Sequence, residues 1–282
     1  MDIRRIGINS ATLPGTLQEK IDAALAAGFG AVELSAKDLL AHPEGATVAA
    51  RRVRESSLKV SAFQVLREMG SNTEREFEYR LDAAKSILEL AASVGCRLLI
   101  VSSSTSPTAV ADPVLLARNL SVLGTLATPF GIRIGYEALA WGRWVSEYTD
   151  AWRVVELANR RNVGLVIDSF QILMRQTAAD TLKDIPADRI FLVQFSDYKF
   201  DFISEIEEFV EVSRHERVFP GEGAHGQLIT ELLTQLESNG YRGDYTLDVF
   251  SDDNQHSQLP LVMARAQASV QWLAARVAAG NT

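Results

Sequence analysis

The chain reads as a closed (β/α)8 barrel, an α/β fold in one domain over residues 1–282. Three observations predict it. Eight short β-branched or aliphatic runs recur along the sequence, at 5–9, 31–35, 59–65, 97–102, 133–138, 164–169, 190–196 and 245–250. Helix-patterned stretches separate them, at 16–27, 46–56, 73–94, 113–130, 150–160, 177–185 and 226–239, with a last one at 259–278. No Pro/Gly/Ser-rich linker or change of composition interrupts the series. Strict alternation calls for parallel strands, and eight repeats suit a closed barrel better than an open doubly wound sheet, which usually has fewer. Boundary chemistry agrees. Gly28 and Gly95 stand just past helix ends, where a left-handed cap is wanted, and Thr73 with Glu76 spells a capping box. The long segment 197–225 is expected to be an extended active-site loop holding a short helix.

Composition bounds the function. The 282 residues carry 28 Lys plus Arg against 36 Asp plus Glu, a formal charge of −8, with 47% apolar and 23% charged residues. That mix folds, and it lies far from the disordered corner of composition space. An acidic chain without a Lys/Arg cluster interleaved with aromatics is a poor match for a phosphate backbone, so no nucleic-acid partner is expected. The start MDIRRIGINS lacks an apolar stretch after its arginines and no apolar run approaches membrane-spanning length, so neither a signal peptide nor a membrane partner is expected. Cys96, the single cysteine, cannot form an internal disulfide, and His42, His215, His225 and His256 assemble no thiolate or HxxxH-type zinc cluster. A cytoplasmic setting fits. The apolar final helix would allow a homo-oligomer.

Barrel enzymes draw catalytic residues from the C-terminal ends of strands. There the later half of the chain places Glu137, Asp168, Gln194 and Asp248, each a hydrophilic side chain in or just after an apolar strand. Buried without a partner, each charge would cost several kcal/mol. Three carboxylates and an amide oxygen are hard donors that select Mg²⁺ or Mn²⁺. The competing reading is that these residues cap helices or pair with Arg97 and Arg133. Earlier strand ends offer Glu33, Gln64, Arg67, Ser102, Ser103 and Ser104. A guanidinium at Arg67 suggests a small anionic or polyhydroxylated substrate, unless it pairs with Glu68 or Glu74. Residues 213–223 concentrate Arg214, His215, Arg217 and Glu222 before a glycine turn. Residues 221–226 match GxGxxG but follow no opening strand of a dinucleotide fold, so they are read as a turn into a helix N-terminus. Trp141 and Trp144 could wall the pocket or pack beneath the loop. No GxSxG elbow is present.

The stretches Tyr-Glu137-Ala-Leu-Ala-Trp141-Gly-Arg-Trp144, Ile-Asp168-Ser-Phe-Gln171, Gln194-Phe-Ser-Asp, Ser213-Arg-His-Glu-Arg217-Val-Phe-Pro-Gly-Glu-Gly and Leu-Asp248-Val-Phe resemble the xylose isomerase-like TIM barrel superfamily of sugar phosphate isomerases and epimerases. More narrowly they resemble its 3-dehydroshikimate dehydratase branch. The resemblance implies a divalent metal (Mg²⁺ or Mn²⁺, with Co²⁺ a further candidate) held by Glu137, Asp168, Gln194 and Asp248, the last an Asp where the branch has Glu. It implies substrate contacts at Arg67 and Arg217, to which Ser103, Trp141 and Glu222 are added as substrate-side groups. Proton transfer is assigned to Glu137, His215 and the position of Gln171. The branch has histidine at that position, and an amide is no general base at neutral pH. The expected function is a metal-dependent lyase that dehydrates a cyclic keto acid such as 3-dehydroshikimate. An isomerase or epimerase of keto-sugars, and a catalytically silent relative that binds a small acid, are the alternatives.

Overall fold

In the computed structural model, residues 5–70, 73–201, 203 and 205–280 are described. Eight parallel strands close into a barrel in sequence order. They are β1 (Ile6–Asn9), β2 (Ala31–Ser35), β3 (Lys59–Leu66), β4 (Leu98–Ser102), β5 (Arg133–Glu137), β6 (Val163–Asp168), β7 (Ile190–Phe195) and β8 (Asp244–Leu247). β1 closes the ring on β8, with Ile6 opposite Tyr245 and Ile8 opposite Leu247. Strands enclosed on both faces read as near-continuous apolar runs, which is why they were legible as runs and not as alternation. Across the lumen, Ala62, Leu98, Ile100, Val166 and Phe191 pack together, while the larger cluster fills the layer between strands and helices.

The outer ring comprises α1 (Leu17–Ala26), α2 (Ala36–Leu40), α3 (Ala46–Glu55), α4 (Glu74–Ser93), α5 (Pro113–Ala127), α6 (Tyr148–Ala158), α7 (Ser169–Arg175), α8 (Ile206–His215), α9 (Gly226–Ser238), α10 (Asp252–His256) and α11 (Leu259–Gly280). Local chemistry starts and stops them. Thr16 and Glu19 form a reciprocal capping box at α1, and Asp112 caps α5 ahead of a proline at its first position. Gly28 and Gly95 take the left-handed conformation expected of them.

Two expectations need correction. The helix expected at 177–185 is a 3-10 stretch, Ala179–Asp184, and the α-helix of this repeat is α7, which leaves β6 directly. The Asp168 carboxylate accepts the Phe170 N–H at 2.9 Å and so caps α7, and Gln176 ends it in the left-handed region. All of α7 before Arg175 is buried, so it shows no polar face for periodicity to detect. β8 stops at Leu247, which leaves Asp248 as the first residue beyond it. The short helix anticipated within 197–225 is α8. Among the described residues no helix is long and apolar enough to cross a membrane.

The segment after β7 is tied down at both ends. Asp197 exchanges backbone hydrogen bonds with Val218, at 2.9 and 2.8 Å, and its buried carboxylate meets His225 Nδ1 at 2.9 Å just before α9. Burial alone would lower the His225 pKa, but the hydrogen bond and charge of Asp197, with backbone groups of Asp201 and Tyr198, outweigh it and raise the value above 6.5. A pKa raised on folding gives stability that is complete below the unfolded value and lost as pH rises through the folded one. His225→Ala should therefore lower unfolding stability by about 1.5–3 kcal/mol in acid. Urea denaturation across pH should show that deficit shrinking above pH 6.5.

Candidate active site

Strand register brings the polar residues to one level at the C-terminal rim. Asn9 lies opposite Glu33, Ser102 opposite Glu137, and Asp168 opposite Gln194. Asp248 extends the β7–β8 ladder by donating its backbone N–H to Phe195 O at 3.0 Å. A cavity of about 90 Å³ opens here, and Arg67, Glu137, Trp141, Gln171, Gln194, Arg214, Arg217 and Asp248 are among its walls.

The floor is a cluster of buried charge. Glu33 is fully buried, Glu137 is 8% exposed, and Asp168 and Asp248 are each 3% exposed. One buried cation answers them. Arg217 Nη1 lies 3.1 Å from Asp168 Oδ2 and 3.0 Å from Asp248 Oδ2, with its plane over the Phe170 ring at 4.1 Å. Its remaining donors go to Ser213, Nε to the carbonyl at 2.9 Å and Nη2 to Oγ at 3.0 Å. One positive charge cannot neutralise four carboxylates. Burial first, then Asp168 and Asp248, pushes the Glu137 pKa up to about 8. Burial with the Asp168 charge lifts Asp248 to about 6 against the opposing pull of Arg217. Glu33 is raised well above the ordinary carboxyl range by burial, then by Asp248 and Glu137.

Hydrogen bonding leaves specific atoms without partners. Gln194 donates from Nε2 to Glu33 Oε1 at 2.9 Å, while Gln194 Oε1 and Glu33 Oε2 are buried with no hydrogen bond. Among the described residues the Glu137 carboxylate accepts none either. Among those residues no three His, Cys, Asp or Glu side chains already close on one point, because Asp168 and Asp248 converge on Arg217. The donor set still fits a hard divalent cation. It offers excess negative charge, a free carboxylate at Glu137 and an amide oxygen at Gln194 that lacks a donor.

The structure sorts the predicted residues. Glu137, Gln194, Asp248, Gln171, Arg67 and Trp141 line the cavity, and Asp168 stands beside it bonded to Gln171 and Arg217. Arg97 and Arg133, considered as partners for the acids, belong to the opposite end of the barrel; the partner is Arg217. Arg217, expected on the substrate, spends its donors on the protein. Gln171 is locked, donating to Asp168 Oδ2 at 3.1 Å and accepting the Ala140 N–H at 2.7 Å. His215 is misplaced as a proton carrier. It ends α8 outside the cavity, 44% exposed, with Nδ1 3.0 Å from Asp252. Glu222 is likewise no substrate group, since it clamps Arg265 of α11 at 2.8 and 2.6 Å. Ser103 Oγ is buried and accepts the Leu139 N–H, and Ser102 is the serine that faces the cavity. Trp144 is half-exposed and donates to the Ala109 carbonyl at 2.8 Å.

Arg67 escapes the pairings considered for it. Glu68 accepts from Thr105 and Ser106, and Glu74 faces Arg118. The guanidinium has no carboxylate partner among the described residues. Arg214 lines the cavity in the same state. Asn9 is the site residue that sequence reasoning missed, although it ends an apolar strand as Glu137 does.

Residues 21–276 match the family described as xylose isomerase-like TIM barrel. The chain belongs to that family. Within it, the chain is 37% identical over 246 residues to a 3-dehydroshikimate dehydratase of Pseudomonas aeruginosa and 34% identical over 245 residues to that of Pseudomonas putida. In both cases 87% of this chain and 38% of the relative are covered, so it spans well under half the length of these proteins. A solved xylose isomerase-like TIM barrel/4-hydroxyphenylpyruvate dioxygenase fusion protein superposes with a TM-score of 0.88 at 33% identity, covering 95% of this chain and 42% of the other.

Removing Arg217 should expose the cost of the acids. Arg217→Met should destabilise the barrel by about 3–5 kcal/mol in chelator-treated protein, as breaking a buried ion pair does. Denaturant unfolding with and without EDTA reads this out.

Proposed function

We propose that this barrel is a divalent-metal-dependent dehydratase acting on a cyclic hydroxy-keto acid of the 3-dehydroshikimate type. The observation that carries the reading is a cavity lined by two guanidinia, Arg67 and Arg214, and by Glu137, none of which has a charged or hydrogen-bonding side-chain partner among the described residues. The two Pseudomonas relatives support it by the reaction their names state. Glu137, Asp168, Gln194 and Asp248 would hold Mg²⁺ or Mn²⁺. When bound, such an ion polarises a carbonyl oxygen and makes the adjacent C–H more acidic.

The chain's own residues divide the remaining work. Arg67 and Arg214 hold the substrate carboxylate at the mouth, where a planar guanidinium matches it in two hydrogen bonds. Trp141 gives the ring a flat wall. Two carboxylates line the cavity; Asp248 is bonded to Arg217 and Asn9, whereas Glu137 has no hydrogen bond among the described residues, so that one of its oxygens could serve the ion and the other the substrate. Glu137 therefore takes the α-proton. The electron pair released forms the new C=C bond as the β-hydroxyl leaves, one water is lost, and the ring tautomerises to an aromatic dihydroxybenzoate. Gln171 holds Asp168 in place and carries no proton.

A keto-sugar isomerase or epimerase is the second reading, favoured by the presence of both Glu137 and Asp248 in the cavity, since α-proton removal begins that reaction as well. Incubation with Mn²⁺ and 3-dehydroshikimate should give an ultraviolet-absorbing aromatic product that EDTA abolishes. A flat trace at high protein concentration contradicts the dehydratase reading, and solvent deuterium entering ketoses would then favour the second. Arg67→Ala should raise KM roughly 10–100-fold, the equivalent of a lost charged hydrogen bond. His215→Ala should leave kcat and KM near their starting values.

A further inference from the structure

We infer that Glu33 is a positioning residue that fixes the Gln194 amide, so that its NH2 group is held on Glu33 and its oxygen is left for the cation. The inference rests on the metal-site reading above. Glu33 is fully buried on β2, and among the described residues it forms no ion pair with an arginine or lysine. Its Oε1 instead accepts two amide donors, Gln194 Nε2 at 2.9 Å and Asn9 Nδ2 at 3.4 Å.

The two ends of a carboxamide are nearly the same size, so only its partners decide which way it points. Glu33 Oε1, already taking both amide N–H groups, acts as an acceptor whether the carboxyl is ionised or carries its proton on the unpartnered Oε2. Reversing Gln194 would press its oxygen against that atom, acceptor on acceptor, in a site closed to water. Gln194 Oε1 is therefore the end left over, buried without a hydrogen bond on a residue that lines the cavity. Asn9 is fixed by the same logic from the other side. Its Oδ1 accepts the Ala11 N–H at 2.8 Å, which aims Nδ2 at Glu33 and at Asp248 Oδ1. One buried acid thus links β1, β2 and β7, and through Asn9 the residue following β8. Outer partners of this kind orient metal ligands, and their loss typically weakens metal affinity about 10–100-fold.

The test is Mn²⁺ binding to the full chain, followed by calorimetry and by the spin-resonance signal of free Mn²⁺, with thermal melting to confirm folding. Glu33→Gln keeps the shape but supplies an NH2 group, so Gln194 can reverse, and the Mn²⁺ Kd should rise about 10–100-fold. The exchange Glu33→Gln with Gln194→Glu restores the bond with donor and acceptor swapped, and should recover most of that loss. In a Gln194→Ala background, Glu33→Gln should alter Kd by less than about twofold, because the Gln194 contact is already gone and the Ala11 N–H still orients Asn9 toward Asp248. Unchanged binding by Glu33→Gln overturns the inference, as does failure of the exchange to recover affinity. So does a further large loss in the Gln194→Ala background, which would mean that Glu33 touches the ion itself. If the unsubstituted protein takes up no Mn²⁺, the metal reading falls first and the inference with it.

Discussion

Four carboxylates held out of water around one arginine set the terms for the rest of this molecule. Carboxylates are rarely buried unless paired, because the interior returns little of the hydration energy they lose. Here Arg217 serves two of them, Asn9 and Gln194 give hydrogen bonds to two, and Glu137 receives nothing among the described residues. Burial first, and then the neighbouring acids, drives pKa values upward, to about 8 at Glu137. Acids perturbed this strongly at a cavity are candidates for a functional site.

The barrel can hold this charge because each acid sits on or just past a strand whose position is fixed by its neighbours on both sides. The ladder pairs Asn9 with Glu33 and Asp168 with Gln194, so the polar groups share a level without help from loops. Arg217 arrives differently. It comes from the segment after β7, where its backbone N–H donates to Phe250 O at 3.0 Å and its neighbour Val218 bridges to Asp197. The Asp197–His225 pair secures that segment to the start of α9. Stability and site geometry are therefore coupled through the loop that carries the central cation.

Much of this was legible in the chain. Eight apolar runs gave eight strands because parallel strands covered on both faces contain little else, and the hydrophilic residues interrupting those runs marked Glu137, Asp168, Gln194 and Asp248. The failures have physical causes. Buried as far as Met174, α7 offers no polar face to periodicity, which predicts a helix one segment later instead. Within Arg214, His215 and Arg217, composition could not say which side chain turns inward. That choice is made by where α8 ends and by the bridges of Glu216 to Ser251 and Val218 to Asp197, which are contacts between distant parts of the chain. Glu222 was drawn to a long-range partner, Arg265, that no local pattern reveals. Asn9 was detectable, since an asparagine ending the run Ile-Gly-Ile obeys the rule that found Glu137.

The most direct measurement is a crystal structure of the protein soaked in Mn²⁺, with anomalous scattering used to locate the ion. A single strong peak in contact with Glu137, Asp168, Gln194 and Asp248, with Arg217 still alongside, is the predicted result. A map with no peak at the rim, or with manganese only on surface acids, would contradict the reading of the buried carboxylates as a cation site.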